Sequence, residues 1–346
     1  MSLLSLPQMG FTAFFQQQLS LEQLTSFKLA RISAQHRGHI EVMTEQIANH
    51  SMPITPSMTG LTVGDWLLLT EQGGFAHRLE RMSLFARKSA GSKVDLQLIA
   101  ANINTVFIVC SLDKNFNLNR IERYLALAYE AEVEPVIVLT KVDHCDAVED
   151  YRSQVLSLDP MLMVEAVNAL DPDSIAPLKS WCTTGKTVAF IGSSGVGKST
   201  LVNTFLAAHS QSTGASREDD NRGRHTTTSR SLHLMPTGGL LLDTPGMREL
   251  QLVDCEQGIA KSFAEIDALA SQCRFANCQH HSEPGCAVNK AVESGELSQR
   301  RLENYDKLLK EQARNGETLA QKRSKDKNLG RFYKSVIKEN KQRKNK

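Results

Sequence analysis

Gly192-Ser193-Ser194-Gly195-Val196-Gly197-Lys198-Ser199 fits the pattern G-x-x-x-x-G-K-[ST]. It follows the apolar run Thr187–Ile191 directly and opens the helical stretch Leu201–Leu206. Strand, glycine-rich loop and helix in that order let backbone N–H groups and a helix N-terminus face phosphates. The feature commits this part of the chain to a parallel sheet covered by helices. Lys198 is placed to reach the β- and γ-phosphates, the Ser199 hydroxyl to meet Mg²⁺, and Thr200 to complete the stretch. A second element of the same chemistry is Asp243-Thr244-Pro245-Gly246, after the apolar Leu240–Leu242. There Asp243 approaches Mg²⁺ and the Gly246 N–H senses the γ-phosphate.

The base is read elsewhere. Thr140-Lys141-Val142-Asp143 ends the buried run Pro135–Leu139, and a carboxylate at Asp143 can accept both the N1–H and the N2 amino protons of guanine. Adenine offers no such donor pair, while the Lys141 stem packs over the ring. The usual form of this motif is N-K-x-D; Thr140 keeps a hydroxyl and loses an amide, which predicts retained guanine selectivity on a weaker scaffold. Val167-Asn168-Ala169 ends the next strand and supplies a backbone N–H for guanine O6, with Asn168 where serine is usual. The base-reading residues therefore precede the phosphate loop, and the Mg²⁺-side aspartate comes last. Ordinary GTPases begin with the phosphate loop, so the order is a circular permutation. A parallel sheet tolerates it because every motif sits at the C-terminal end of a strand.

Around this domain the chain changes rhythm twice. Residues about 24–95 read as some five short strands separated by turns, among them Ser26–Ile32, Gly38–Thr44 and Gly64–Leu69, as in a small barrel. From about residue 100 the pattern is strand, helix, strand: Thr105–Val109, helical Leu118–Glu132, Pro135–Leu139, a third strand near Leu162–Val167 and a fourth at Thr187–Ile191. Ser231–Met235 and Leu240–Leu242 flank Pro236-Thr237-Gly238-Gly239 and predict a hairpin. After about residue 255 the chain turns helical and cysteine-bearing. Cys273, Cys278, His280 and Cys286 supply three thiolates and an imidazole, enough for one closed structural Zn²⁺ site, with His281 as the alternative imidazole. The isolated Cys110, Cys145, Cys182 and Cys255 read as small buried apolar residues.

The net charge of +2 hides an asymmetry: residues 298–346 hold 16 Lys/Arg against 6 Asp/Glu. That end, Lys322–Lys346 together with Arg300 and Arg301, reads as a phosphate-neutralising surface for nucleic acid. No apolar run approaches the ~20 residues of a membrane span, and the N-terminus lacks a signal-peptide pattern, so a cytoplasmic monomer is expected.

A small barrel, a permuted GTPase domain and a Cys/His zinc segment, matched from Val63-Gly64-Asp65-Trp66 through Asp243-Thr244-Pro245-Gly246 to the cysteine cluster, together resemble the RsgA (YjeQ) family of ribosome small-subunit-dependent GTPases. The resemblance covers nearly the whole chain. It implies an N-terminal OB-fold within residues 1–95, a permuted GTPase domain at 96–252 and a zinc-binding helical domain with a basic tail at 253–346. It also implies binding to the small subunit and its rRNA in late maturation, with subunit-stimulated hydrolysis of GTP to GDP, and favours His280 as the zinc ligand. Met247 stands near where small GTPases place a glutamine, and a thioether cannot orient water. His225, in the polar stretch His209–Ser229, is the substitute that both the residues and the resemblance offer. One of Thr226, Thr227 and Thr228 is to close on Mg²⁺ and the γ-phosphate. A different class remains open: a GTP-gated rRNA-binding module in which hydrolysis is incidental.

Overall fold

The computed structural model of the 346-residue chain describes residues 3–47, 49–88, 96–207, 230–243 and 255–316. Two short helices, α1 (Ala13–Gln16) and α2 (Leu21–Ser26), come first; Ser20 starts α2 with a full capping box to Gln23. Five antiparallel strands follow: β1 (Lys28–Gln35), β2 (His39–Met43), β3 (His50–Pro53), β4 (Trp66–Leu69) and β5 (Phe75–Arg78). β1 is long enough to pair with β4 through Lys28–Arg31 and with β2 on its other edge, and a bulge between Ile32 and Ala34 bends it. The strands curl into a partly open OB-type barrel around Ala30, Ile32, Ile40, Val42, Met52 and Leu67. β6 (Leu84–Lys88) and β7 (Leu96–Ala101) form a separate antiparallel pair.

Arg31 anchors the first residues of the chain. It is fully buried, beneath Trp66. Its guanidinium donates to the Met9 carbonyl, to Gly64 O at 3.3 Å and to Asn102 O at 3.0 Å. Loss of solvation pushes its pKa down to about 10, so the group stays charged at neutral pH. Phe11 and Phe15 pack against Trp66 at centroid distances of 5.1 and 5.8 Å.

The alternating part of the chain builds the expected parallel sheet. It comprises β8 (Thr105–Ser111), α3 (Leu118–Glu130), β9 (Glu134–Thr140), α4 (Val148–Leu156), β10 (Met163–Val167), β11 (Thr187–Ile191), α5 (Lys198–Ala207), β12 (Arg230–Leu234) and β13 (Leu240–Asp243). The order is β10-β9-β8-β11-β13-β12, parallel except for the β12–β13 hairpin, which falls where the sequence places it. Val106, Phe107, Ile108, Val136, Ile137, Val138 and Val188 are almost wholly inaccessible, as strands covered on both faces require. Beyond β12 the sheet continues: Ala34 and Gln35 of β1 pair with Ser231 and Arg230, joining barrel and parallel sheet into eleven strands.

The last four helices are α6 (Glu256–Ser262), α7 (Ala264–Ala270), α8 (Ala287–Glu293) and α9 (Gln299–Gly316). α6 lies against α3 at very close range, because Gly258 offers no side chain. A Cβ there would stand 2.1 Å from the Ala126 carbonyl oxygen. The Gly258 N–H also donates to Glu130 at 2.8 Å. Gly258→Ala is expected to cost about 1–3 kcal/mol by forcing α6 off α3, measured as a shift of the urea midpoint at unchanged slope.

One expectation needs correction. Arg300 and Arg301 are not part of an open phosphate-binding surface. Arg300 donates to Glu122 Oε1 at 2.8 Å, and Arg301 to the same oxygen at 2.8 Å and to Glu265. Both are consumed in fixing α9 and α7 to α3. The tail after residue 316 lies outside the described residues.

Candidate nucleotide site and zinc cluster

Every base- and phosphate-reading motif reaches the same edge of the sheet, because register aligns the strand ends. Thr140 stands opposite Ser111 on one side and Val167 on the other, Ile191 opposite Ile108, and Leu242 opposite Ala189 with Asp243 next. The phosphate loop leaves β11 at Gly192, whose φ is +146° and whose missing Cβ would meet the Val109 carbonyl oxygen at 2.4 Å. Only glycine allows the loop to turn there. Ser194 and Gly195 form the exposed crest, Val196 is buried, and Ser199 is exposed in the first turn of α5, with Thr200 half-buried beside it. Lys198, 8% exposed, donates its ammonium to Gly192 O at 2.8 Å and to Ser193 O, so the cation is held at the loop itself.

Thr140 joins the two halves of the site. It is wholly buried, and its hydroxyl donates to the Val196 carbonyl at 2.6 Å. The hydroxyl alone therefore braces the base-reading strand against the phosphate loop, more than the loss of an amide leads one to expect. Thr140→Val would leave the Val196 carbonyl without that donor, at about 1–3 kcal/mol. Guanine-nucleotide affinity should fall about tenfold, read by titration with a fluorescent GDP analogue.

Lys141 turns the chain with φ +65° and pairs its ammonium with Asp113 at 2.8 Å. Burial alone would raise the Asp113 carboxyl, but Lys141, the Asn115 N–H and the Ser111 hydroxyl hold it at about 2. Asp113 is a residue the sequence reading missed; its signal is a carboxylate two places beyond the end of the first parallel strand. Val142 and Asp143 lie in a short turn of helix, with the exposed Asp143 carboxylate 3.2 Å from exposed His144. The Asn168 side chain accepts from the Leu170 N–H at 3.0 Å and so shapes its own loop. Ala169 O accepts from Thr204 of α5 at 2.7 Å, which locks the second base-reading loop to the phosphate-loop helix. Arg120, near the start of α3, stands 3.4 Å from the Ser193 hydroxyl.

The second constellation is Cys273, Cys278, His280 and Cys286, whose ligand atoms all lie within 4.8 Å of one another. Cys273 Sγ is 3.9 Å from Cys286 Sγ and 3.7 Å from His280 Nδ1, and His280 Nδ1 is 3.4 Å from Cys286 Sγ. A zinc tetrahedron with bonds of about 2.0–2.3 Å has edges of about 3.5–3.8 Å. Cys273, His280 and Cys286 thus stand close to the spacing of three such corners, with Cys278 Sγ within 4.8 Å of each. His280 adopts φ +61° to face inward, whereas His281 is exposed and outside the group. Burial raises the Cys273 thiol, but the Val288 and Ala287 N–H groups at the head of α8 outweigh it and bring its pKa down. Of the isolated cysteines, Cys110, Cys182 and Cys255 are buried, and burial pushes Cys182 and Cys255 up to about 12; Cys145 is only half-buried.

Residues 78–253 match the family model described as RsgA GTPase, and that span holds both base-reading loops, the phosphate loop and the terminal aspartate. The chain belongs to the RsgA GTPase family. Among curated members, the small ribosomal subunit biogenesis GTPase RsgA 2 of Vibrio parahaemolyticus is 56% identical over 338 residues, covering 98% of this chain and 94% of that protein. The small ribosomal subunit biogenesis GTPase RsgA of Xanthomonas axonopodis pv. citri is 45% identical over 300 residues, covering 84% and 82%. The crystal structure of YjeQ from Thermotoga maritima matches with a TM-score of 0.61 at 25% identity, over 82% of this chain and 99% of that one. YloQ, described as a circularly permuted GTPase, shares the fold with a TM-score of 0.56 at 23% identity, over 82% and 94%. Within this RsgA framework His225, Thr228 and Gly246 lie outside the described residues, and Asp243 is placed by its backbone at the end of β13.

Proposed function

We propose that this chain is a GTP hydrolase that binds the small ribosomal subunit in its late maturation and turns over fastest while bound there. The observation that carries the reading is the convergence of the permuted motifs on one sheet edge, in a chain 56% identical across 98% of its length to a small ribosomal subunit biogenesis GTPase. In this reading Asp143 and the Ala169 N–H select guanine, with Thr140, Lys141, Val142 and Asn168 shaping the pocket. Gly192 through Thr200 wrap the phosphates, and Lys198 exchanges its loop carbonyls for phosphate oxygens. Ser199 and Asp243 are hard oxygen donors suited to Mg²⁺, which when bound neutralises charge on the β- and γ-phosphates. Thr228 and Gly246 close on the γ-phosphate and His225 orients the attacking water. Hydrolysis is then slow until a partner brings His225 to the attacking water.

The three-part division at residues 1–95, 96–252 and 253–346 assigns the barrel and the basic tail to rRNA contact, the middle to GTP, and the last part to one structural Zn²⁺. No helix among the described residues is long and apolar enough to cross a membrane, and we place the protein in the cytoplasm as a monomer.

GTP turnover should be measured on zinc-loaded protein alone, with small subunits and with large subunits. Stimulation of at least tenfold by small subunits only, lost in His225→Ala while subunit binding persists, supports the reading. Equal slow rates in all three would replace it with a GTP-gated rRNA-binding module.

A further inference from the structure

The β1–β2 end of the barrel carries a group of side chains that nucleotide chemistry does not use. His36 and His39 flank the two-residue turn Arg37-Gly38, and the His36 N–H donates to the His39 carbonyl at 2.9 Å. Their rings stack with centroids 4.3 Å apart and planes at 14°. Glu41, two residues along β2 from His39 and so on the same face, brings Oε1 to 3.1 Å from His36 Nε2. One ligand atom from each of the three lies within 4.8 Å of the others. His36, His39 and Glu41 are each partly exposed, so solvent reaches all three.

We propose that His36, His39 and Glu41 form a second metal site, open on one side, that takes a borderline divalent cation of the Zn²⁺, Co²⁺ or Ni²⁺ class. Two imidazoles and one carboxylate are a donor set that such ions accept while keeping a further position for water or an anionic oxygen. The 3.1 Å between His36 Nε2 and Glu41 Oε1 is near the edge of about 3.3 Å in a tetrahedron with bonds of about 2.0–2.1 Å. Stacked rings have parallel in-plane lone pairs, so the partly exposed His39 ring must swing about its side-chain torsions to share an ion with His36. Exposed side chains do this in picoseconds to nanoseconds, and the turn already fixes the two backbone positions. Without a thiolate the site binds more weakly than the Cys₃His cluster. It sits at the seam between domains, since Gln35, next to His36, pairs with Arg230 of β12.

The test is metal stoichiometry of the full-length chain, stripped and then dialysed against micromolar free zinc. Two zinc ions per chain are expected, falling to one in His36→Ala/His39→Ala. Cobalt separates the sites spectroscopically. The Cys₃His cluster gives intense sulfur-to-cobalt absorption that the double variant should keep, while the weaker second increment without sulfur character should vanish. One ion per chain in the parent, or two in the double variant, would overturn the proposal.

Discussion

A Glu122→Ala variant should lose about 3–5 kcal/mol of stability, the usual result of removing one partner from a buried charge network. The Glu122 side chain is wholly inaccessible on α3. It accepts from Arg300 through two nitrogens, from Arg301 at 2.8 Å and from Asn304. Alanine leaves Arg301, 8% exposed, with Glu265 and the Ser262 carbonyl, and leaves Arg300 with Asn119. Each guanidinium then loses its hydrogen bonds to a fully buried carboxylate, and Arg301, largely shielded from water, recovers little of that loss by solvation. The measurement is a denaturant titration with hydrogen exchange of α9, which should lose protection first. A loss below about 1 kcal/mol would mean that the network contributes no more than a surface pair.

Removing zinc should melt the segment between α7 and α8 while the parallel sheet survives. From Ser271 to Gly285 there is no helix or strand and no buried side chain, so apolar burial cannot order this loop. Structural zinc in small modules supplies about 10–16 kcal/mol of apparent binding free energy. If the Cys₃His group holds zinc as proposed, metal binding should be the main source of order here. Chelation or Cys286→Ser should abolish amide protection across residues 271–297, because Cys286 also caps α8 by accepting from the Asn289 N–H at 3.4 Å. Unchanged exchange after complete metal removal would show that the loop is held by other means.

The local parts of this structure were legible in the sequence, and the non-local parts were not. The phosphate loop, the β12–β13 hairpin and the Cys₃His spacing are each written within a short stretch, and each forms where the residues place it. Thr140 was read correctly as a departure but undervalued, because its acceptor, the Val196 carbonyl, lies 56 positions away. Arg300 and Arg301 looked like surface charge because Glu122, the residue that buries them, is 178 and 179 positions upstream. Nothing local to α3 marks Glu122 as a buried carboxylate. The fully buried Arg31 and the short strand β3 leave no periodic signal: a single arginine and the four residues His50–Pro53 resemble any exposed loop.

The continuous eleven-stranded sheet has a consequence for how the chain is made. Ala34 and Gln35 reach their partners Ser231 and Arg230 only after roughly 200 further residues have been synthesised, about 10–40 s at ordinary translation rates. Over that interval the β1–β2–β4 ladder can assemble, but the far end of β1 keeps an open row of backbone donors and acceptors. The base-reading strands also emerge before the phosphate loop that they brace. Permutation therefore delays the seam to a late step of assembly, and variants that weaken β12 should show their defect in folding yield on a translating ribosome before they show it in the equilibrium stability of the finished protein.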